Sequence, residues 1–69
     1  MAQQIETVLA GVGPRLRALR KQRNTTLEQL ASATGISVST LSRLESGQRR
    51  PTLDLLLPLA QAHHVALDE

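Results

Sequence analysis

The 69-residue sequence contains no cysteine and no phenylalanine, tyrosine or tryptophan. Without cysteine, neither a disulfide nor a thiolate metal site can stabilise the fold, so a core of Leu, Ile, Val and Ala must suffice. The missing aromatic rings count against RNA-binding and single-strand-binding modules, because these stack bases on exposed rings. The length allows one small domain, near the lower limit for a single hydrophobic core.

Long apolar segments are also missing. No run approaches the ~20 residues of a membrane span. The first ten residues, MAQQIETVLA, have neither the basic region nor the long apolar stretch of a signal peptide. We therefore expect a cytoplasmic protein with no membrane association.

Acidic residues are scarce in the middle of the chain. All eight basic residues fall within residues 11–50, which contain only two acidic residues and so carry a net charge of +6. The remaining residues carry a net charge of −4. A concentrated basic segment favours a polyanionic partner such as nucleic acid, although charge alone is a weak signal.

The spacing of apolar residues predicts an all-α domain of four to five short helices, without strands. In the first third, apolar residues from Ile5 to Leu19 recur at helical spacing, but Gly11, Gly13 and Pro14 interrupt the pattern. Either one helix continues through a kink, or a short helix ends near Gly11 and a second begins at Pro14. Because proline frees the carbonyl one turn before it, we favour a break or a bend.

Capping signals predict the second and third helices. Thr26 and Gln29 fit a capping box, so a second helix begins at about residue 27, and Gly35 ends it. Ser37 can cap a third helix only two residues later, which covers about residues 38–46 and ends at Gly47.

A fourth helix follows a proline. Pro51 and Thr52 open it, and it ends at about His63 or His64. A fifth helix would begin at the final VALDE. The two histidines are adjacent and point about 100° apart on a helix, without nearby carboxylate or Cys support, so we expect no metal and no cofactor.

The short connection at Gly35 is typical of a helix-turn-helix unit, in which three or four residues including a glycine join two helices. Ala31 is small where the two helices must cross closely, and Ile36, Leu41 and Leu44 fill the space behind the turn. An ordinary helical hairpin with a glycine loop gives the same local signals.

The third helix has a slim polar face. Helical periodicity places Ser39 and Arg43 opposite the core leucines, with Ser42 and Ser46 beside them. Such short side chains would let the helix enter the ~12 Å major groove of duplex DNA, where Arg43 can contact guanine O6 and N7. Val38, at the exposed first turn, can touch a thymine methyl group. For each serine taken alone, a solvated surface is the better explanation.

Two charged residues project toward the core. Arg20 lies next to Leu16 on the inner side of the first helix, and Glu45 lies next to Leu41 on the inner side of the third. Because an isolated buried charge is costly, we predict a salt bridge between Arg20 and Glu45. It would tie the two helices together and keep Glu45 from repelling DNA.

Together these segments resemble a known family. The motifs LRKQR, TLEQLA, TGIS, TLSRLESG and RRPT, within about residues 13–67, are similar to the helix-turn-helix domain of phage repressors, Cro proteins and xenobiotic-response-element-type bacterial regulators. The resemblance implies a sequence-specific transcriptional regulator that binds a double-stranded DNA operator. It divides the chain into an N-terminal amphipathic extension, residues 1–12, and a helix-turn-helix DNA-binding domain, residues 13–69.

The resemblance also implies roles for individual residues. The third helix, about residues 38–46, would lie in the major groove. The residues that match base-reading positions are Ser37, Val38, Ser39, Ser42 and Arg43. Those that match positions nearer the phosphates are Thr26, Ser46, Gln48, Arg49 and Arg50. Arg20 and Glu45 match a family ion pair, in agreement with the helical projection above.

Three residues depart from the family pattern. Pro58 lies inside the fourth helix, which it should bend or locally distort. His63 stands where the family usually has a core leucine. His64 takes the common glycine position at the helix end, and histidine is among the residues that tolerate a left-handed conformation.

Specific operators usually have two half-sites, so we expect a homodimer. Leu55 and Pro58 are candidates for an exposed apolar strip, and the Ile5–Leu9 segment is another. The segment PTLDLLLPLA resembles the corresponding segment of regulators with a C-terminal cupin domain. This resemblance implies a C-terminal sensor domain in a longer protein.

Two other classes of function compete with the DNA-binding interpretation. A protein-interaction module, such as an antitoxin or adaptor on the same fold, is the alternative. We expect no enzyme, because no nucleophile motif, glycine-rich phosphate loop or metal-ligand spacing is present.

Overall fold

The computed structural model describes residues 2–64, with side chains from residue 10 onward. These residues form four helices and no strand: α1 (Ala2–Gln22), α2 (Leu27–Thr34), α3 (Val38–Ser46) and α4 (Leu53–His63). The predicted all-α fold is confirmed, and the fifth helix expected at VALDE lies outside the described residues. Within residues 2–64, none of the helices combines the length and apolar character needed to cross a membrane.

α1 is one helix that continues through Pro14. The sequence favoured a break or a bend here; the break is wrong, and the alternative of one helix that continues past Pro14 is the one observed. Proline removes one backbone hydrogen bond, but the helix on both sides of it is retained, because Gly13 and Leu16 pack against the rest of the domain.

Gly13 brings α1 unusually close to the end of α3. It is buried, and a Cβ atom placed on it would lie 2.9 Å from the carbonyl oxygen of Glu45 and nearer still to that of Leu44. Both obstacles are backbone atoms, which cannot swing away as a flexible side chain can. The two helices thus cross at a distance that only glycine permits.

The caps of α2 and α3 are those that the sequence predicts. The hydroxyl of Thr26 accepts a hydrogen bond from the backbone N–H of Gln29 at 3.0 Å, and the Gln29 side chain accepts one from the backbone N–H of Thr26 at 2.9 Å. Gly35 and Gly47 end the two helices with φ angles of 76° and 83°. Ser37 caps α3 through the backbone N–H three residues later. These caps set the length and direction of both helices.

A cluster of leucines holds α2, α3 and α4 together. Its buried members are Leu30, Leu41, Leu44, Leu55 and Leu59. The partly buried residues packed around them are Leu16, Leu27, Ala31, Ile36 and Ala62. Burying a leucine stabilises a fold by about 1.5–3 kcal/mol, so this cluster supplies much of the driving force in a chain without aromatic residues.

The prediction that Leu55 and Pro58 form an exposed apolar strip is wrong. Leu55 is only 7% exposed and belongs to the core, because it shares a helix face with Leu59, one turn away. α4 instead exposes Leu53 and Leu57, at 65% and 49%. The side chains of the Ile5–Leu9 segment lie outside those described.

His63 is a buried polar residue at the end of α4. It is 2% exposed, and neither ring nitrogen has a hydrogen-bond partner in the described part of the chain. Burial lowers the pKa of His63 below the ordinary histidine value, and the positive charge of Arg23 lowers it further. The ring is therefore held neutral at pH 7. His64 follows in the left-handed conformation that the sequence predicts, with φ of 55°.

Candidate nucleic-acid interface

α3 buries one side and exposes the other. Leu41, Leu44 and Glu45 face the core. The residues on the opposite side are exposed: Ser39, Ser42, Arg43 and Ser46. Val38, in the first turn, is 37% exposed. We call these five exposed residues the α3 polar face; it presents three hydroxyls, one guanidinium and one branched apolar side chain to a partner.

Arg43 lies along this face with its end available. Its Nε donates to the backbone oxygen of Ser39 at 3.4 Å, which turns the side chain along the helix. No residue of the described chain holds its two terminal nitrogens. These nitrogens are the pair that a bidentate contact with guanine requires.

The start of α3 carries a small hydroxyl network. Ser37 donates to the hydroxyl of Thr40 at 2.9 Å and lies 3.4 Å from the hydroxyl of Ser39. Hydroxyl hydrogens rotate, so these groups can donate to or accept from different bases. Ser37 and Ser39 are exposed, and the first N–H groups of a helix favour a nearby phosphate.

The residues expected to meet phosphates come from two places in the fold. Thr26 is exposed at the start of α2, and Gln48, Arg49 and Arg50 are exposed in the loop that follows α3. The loop is fixed to α3, because the backbone N–H groups of Gln48 and Arg49 both donate to the carbonyl of Arg43, at 2.9 and 3.1 Å. A move of α3 therefore moves the basic loop with it.

The structure contains the ion pair between Arg20 and Glu45. Arg20 Nε donates to Glu45 Oε2 at 2.8 Å and Nη2 donates to Oε1 at 3.0 Å, so both carboxylate oxygens are occupied. The two side chains are 13% and 6% exposed. The hydrogen bond to Glu45 raises the pKa of Arg20 above its ordinary value.

Arg20 also orders the connection between α1 and α2. Its Nη1 donates to the carbonyl of Thr25 at 3.0 Å, directly before the Thr26 cap. One guanidinium thus links α1, the following loop and α3. The pair positions the α3 polar face and the start of α2 relative to one another.

The structure contains a groove between α1 and α3 that the sequence did not predict. Its lining residues are Pro14, Arg17, Ala18 and Lys21 from α1, with Glu45 and Ser46 from α3. The positions of Arg17 and Lys21 follow from the crossing at Gly13, which helical periodicity within α1 does not reveal. The neighbouring Gly13 and Pro14 were the one available signal of an unusual contact.

Comparison with known proteins agrees with this geometry. The helix-turn-helix family model matches residues 16–69. The chain belongs to the helix-turn-helix family. This confirms the resemblance described above.

The relatives are named as regulators of transcription. The chain is 44% identical over 55 residues to the HTH-type transcriptional regulator AnsR of Bacillus subtilis, covering 80% of this chain and 47% of AnsR. It is 38% identical to the cryptic phage CTXphi transcriptional repressor RstR of Vibrio cholerae, covering 80% and 49%. The chain therefore spans about half the length of these relatives.

One shorter relative is covered almost throughout. The uncharacterized HTH-type transcriptional regulator YazB of Bacillus subtilis is 40% identical over 57 residues, which are 83% of each chain. No solved structure matches the chain with comparable significance.

Proposed function

We propose that this domain binds double-stranded DNA in a sequence-specific manner, as the DNA-binding part of a transcriptional regulator. The observation that carries the proposal is the α3 polar face, on which short side chains surround one arginine whose terminal nitrogens have no partner in the described chain. Serines keep the helix slim enough for the ~12 Å major groove. The relatives' names as transcriptional regulators and repressors support this assignment.

Base readout and phosphate contact fall to different residues in this proposal. Bases are read by Ser37, Val38, Ser39, Ser42 and Arg43. Phosphates are contacted by Thr26, Ser46, Gln48, Arg49 and Arg50. Phosphate contacts fix the register of the protein on the duplex, whereas contacts to base edges carry the sequence preference. No catalytic step is part of the proposal, and the bacterial sources of AnsR and YazB support action in the cytoplasm of a bacterial cell.

The domain acts as a homodimer in this proposal, since one copy offers few phosphate contacts and operators usually repeat a half-site about one helical turn away. Leu53 and Leu57 are the candidate dimer surface, because they lie four residues apart on α4 and are the most exposed leucines described. Leu57→Glu should lower the sedimentation coefficient and the operator affinity, and unchanged values would exclude this surface. A C-terminal sensor domain in a longer protein is also proposed, supported by the greater length of AnsR and RstR.

Selection of bound sites from random duplex DNA tests the proposal. The wild-type domain should enrich one motif at two salt concentrations, with affinity falling as salt rises because phosphate contacts release counterions. Binding that depends on salt without any enriched motif would contradict sequence-specific readout.

A protein-interaction module is the alternative, favoured by the exposure of Leu53 and Leu57. Such a module would bind its protein partner through α4 and need no base readout. It would be supported by a partner whose affinity is lost with Leu57→Glu and unchanged with Arg43→Ala, together with the absence of an operator.

A further inference from the structure

The groove between α1 and α3 carries two basic residues, Arg17 and Lys21, that have no counterion among the residues the structure describes. Arg17 and Lys21 are four residues apart, so they project from the same side of α1. Both are exposed, and neither has a hydrogen-bond or ion-pair partner in the described part of the chain. Both line the groove that also contains Ser46 of α3.

Glu45, the one acidic residue among the described lining residues, cannot neutralise them. Glu45 is buried, and both of its carboxylate oxygens accept hydrogen bonds from Arg20. Its charge is balanced within this pair, so the two free cations give the groove a positive potential. A positive groove with an exposed hydroxyl at its edge fits an anion such as a phosphate group.

The groove adjoins the end of the surface that is proposed to enter DNA. Ser46 belongs both to the α3 polar face and to the groove wall. When a helix lies in the major groove, the phosphates of the two strands run along its rims. The close crossing at Gly13 brings α1 to this end of α3, so that Arg17 and Lys21 come beside one of those rims.

We propose that Arg17 and Lys21 form a further phosphate-binding site, with Ser46, for the backbone of the same DNA duplex that α3 reads. α1 then contacts one strand directly, in addition to its packing role. This inference rests on the proposed function, because its ligand is the duplex bound by α3.

Arg15 supplies a matched control on the same helix. It is exposed and carries the same charge as Arg17, but two residues of helix turn it about 200° away, and it does not line the groove. A long-range attraction between the basic protein and DNA would make Arg15 and Arg17 equivalent. A specific phosphate contact would separate them.

The experiment measures the affinity of the full chain for its selected operator over a salt series, using Arg15→Ala, Arg17→Ala, Lys21→Ala and the Arg17→Ala, Lys21→Ala double variant. Affinity falls with salt, so the slope of log affinity against log salt is negative. Each lost phosphate contact should make this slope shallower by about 0.9, and the double variant should make it shallower by about twice that amount. The selected motif should stay the same, because phosphate contacts carry no base information. Arg15→Ala should change the slope by only a small fraction of the change expected for one lost phosphate contact.

Equal slopes for Arg15→Ala and Arg17→Ala would overturn the inference while leaving base readout by α3 intact. If the wild-type chain selects no motif, the proposed function and this inference fail together. Thermal melting of each variant checks that it is folded. Arg17→Lys keeps the positive charge, so its slope should stay close to that of the wild type.

Discussion

Two buried polar groups in this small core differ in whether they are hydrogen-bonded. Glu45 is buried at the end of α3, and Arg20 occupies both of its carboxylate oxygens. His63 is buried at the end of α4, and neither ring nitrogen has a partner in the described residues. A buried polar group is tolerated when it is hydrogen-bonded and destabilises the fold when it is not. We therefore expect changes at these two sites to alter stability with opposite signs.

The largest effect should come from breaking the ion pair. Arg20→Met leaves the Glu45 carboxylate buried without a partner, and losing one member of a buried pair costs about 3–5 kcal/mol. Denaturant unfolding measures the change. The double variant Arg20→Met, Glu45→Leu should recover much of this stability, because it replaces both charges with apolar groups.

Glu45→Gln is a milder form of the same test. The amide keeps the shape and loses the charge, so the melting temperature should fall by less than in Arg20→Met. An unchanged melting temperature in both variants would contradict a buried, structurally important pair.

The next effect concerns the crossing of α1 and α3. Gly13→Ala places a methyl group against the backbone of Leu44 and Glu45, and such overpacking costs about 1–3 kcal/mol. Gly11 is the matched control on the same helix, since a Cβ atom there meets nothing within 4 Å. Gly11→Ala should stabilise the helix by about 0.5–1 kcal/mol, because glycine loses more backbone entropy on folding. Equal effects at both positions would exclude the close crossing.

An effect of the opposite sign is expected at His63, and it depends on pH. Because the folded-state pKa of His63 lies below the unfolded value of ~6.5, the unfolded chain takes up the proton first as pH falls. The stability linked to this residue is therefore complete above about pH 6.5 and is lost as pH falls through the folded pKa. Arg23, Arg20 and Glu45 are the charged groups that act on the ring.

His63→Leu should remove this loss of stability below about pH 6.5 and also raise stability at pH 7, since an unpaired buried polar group costs about 1–3 kcal/mol. His64→Asn is the control, because it removes the exposed neighbour while keeping a residue that tolerates the left-handed conformation. Urea unfolding at several pH values distinguishes the two. A pH dependence that survives in His63→Leu and disappears in His64→Asn would reverse the assignment.

Local signals in the sequence were sufficient for much of the fold. The capping box at Thr26, the left-handed glycines at 35 and 47 and the cap at Ser37 each depend on residues within one turn, and all are present. The Arg20–Glu45 pair was predictable because two opposite charges that project into a small core are strongly destabilising unless they pair. The same helical projection predicted the exposed side of α3.

The rest depended on how whole helices pack. Apart from Asp54, the segment LDLLLPL is apolar throughout, so periodicity did not reveal that Leu55 is buried and that Leu53 and Leu57 are exposed. The continuity of α1 and its groove follow from the contact of Gly13 with the backbone of α3, which is far away in the sequence. The proline alone favoured a break or a bend in α1, and only the break is excluded.

The central claim is that the α3 polar face, apart from the phosphate-contacting Ser46, reads base edges, with Arg43 as the main specific contact. The most direct test compares the site preferences of wild type and Arg43→Ala, position by position, on the selected operator. The account predicts a loss of about 1–3 kcal/mol confined to one base pair, with relaxed preference there and retained preference elsewhere. A uniform loss across all sequences, or no loss at any position, would contradict base readout by Arg43.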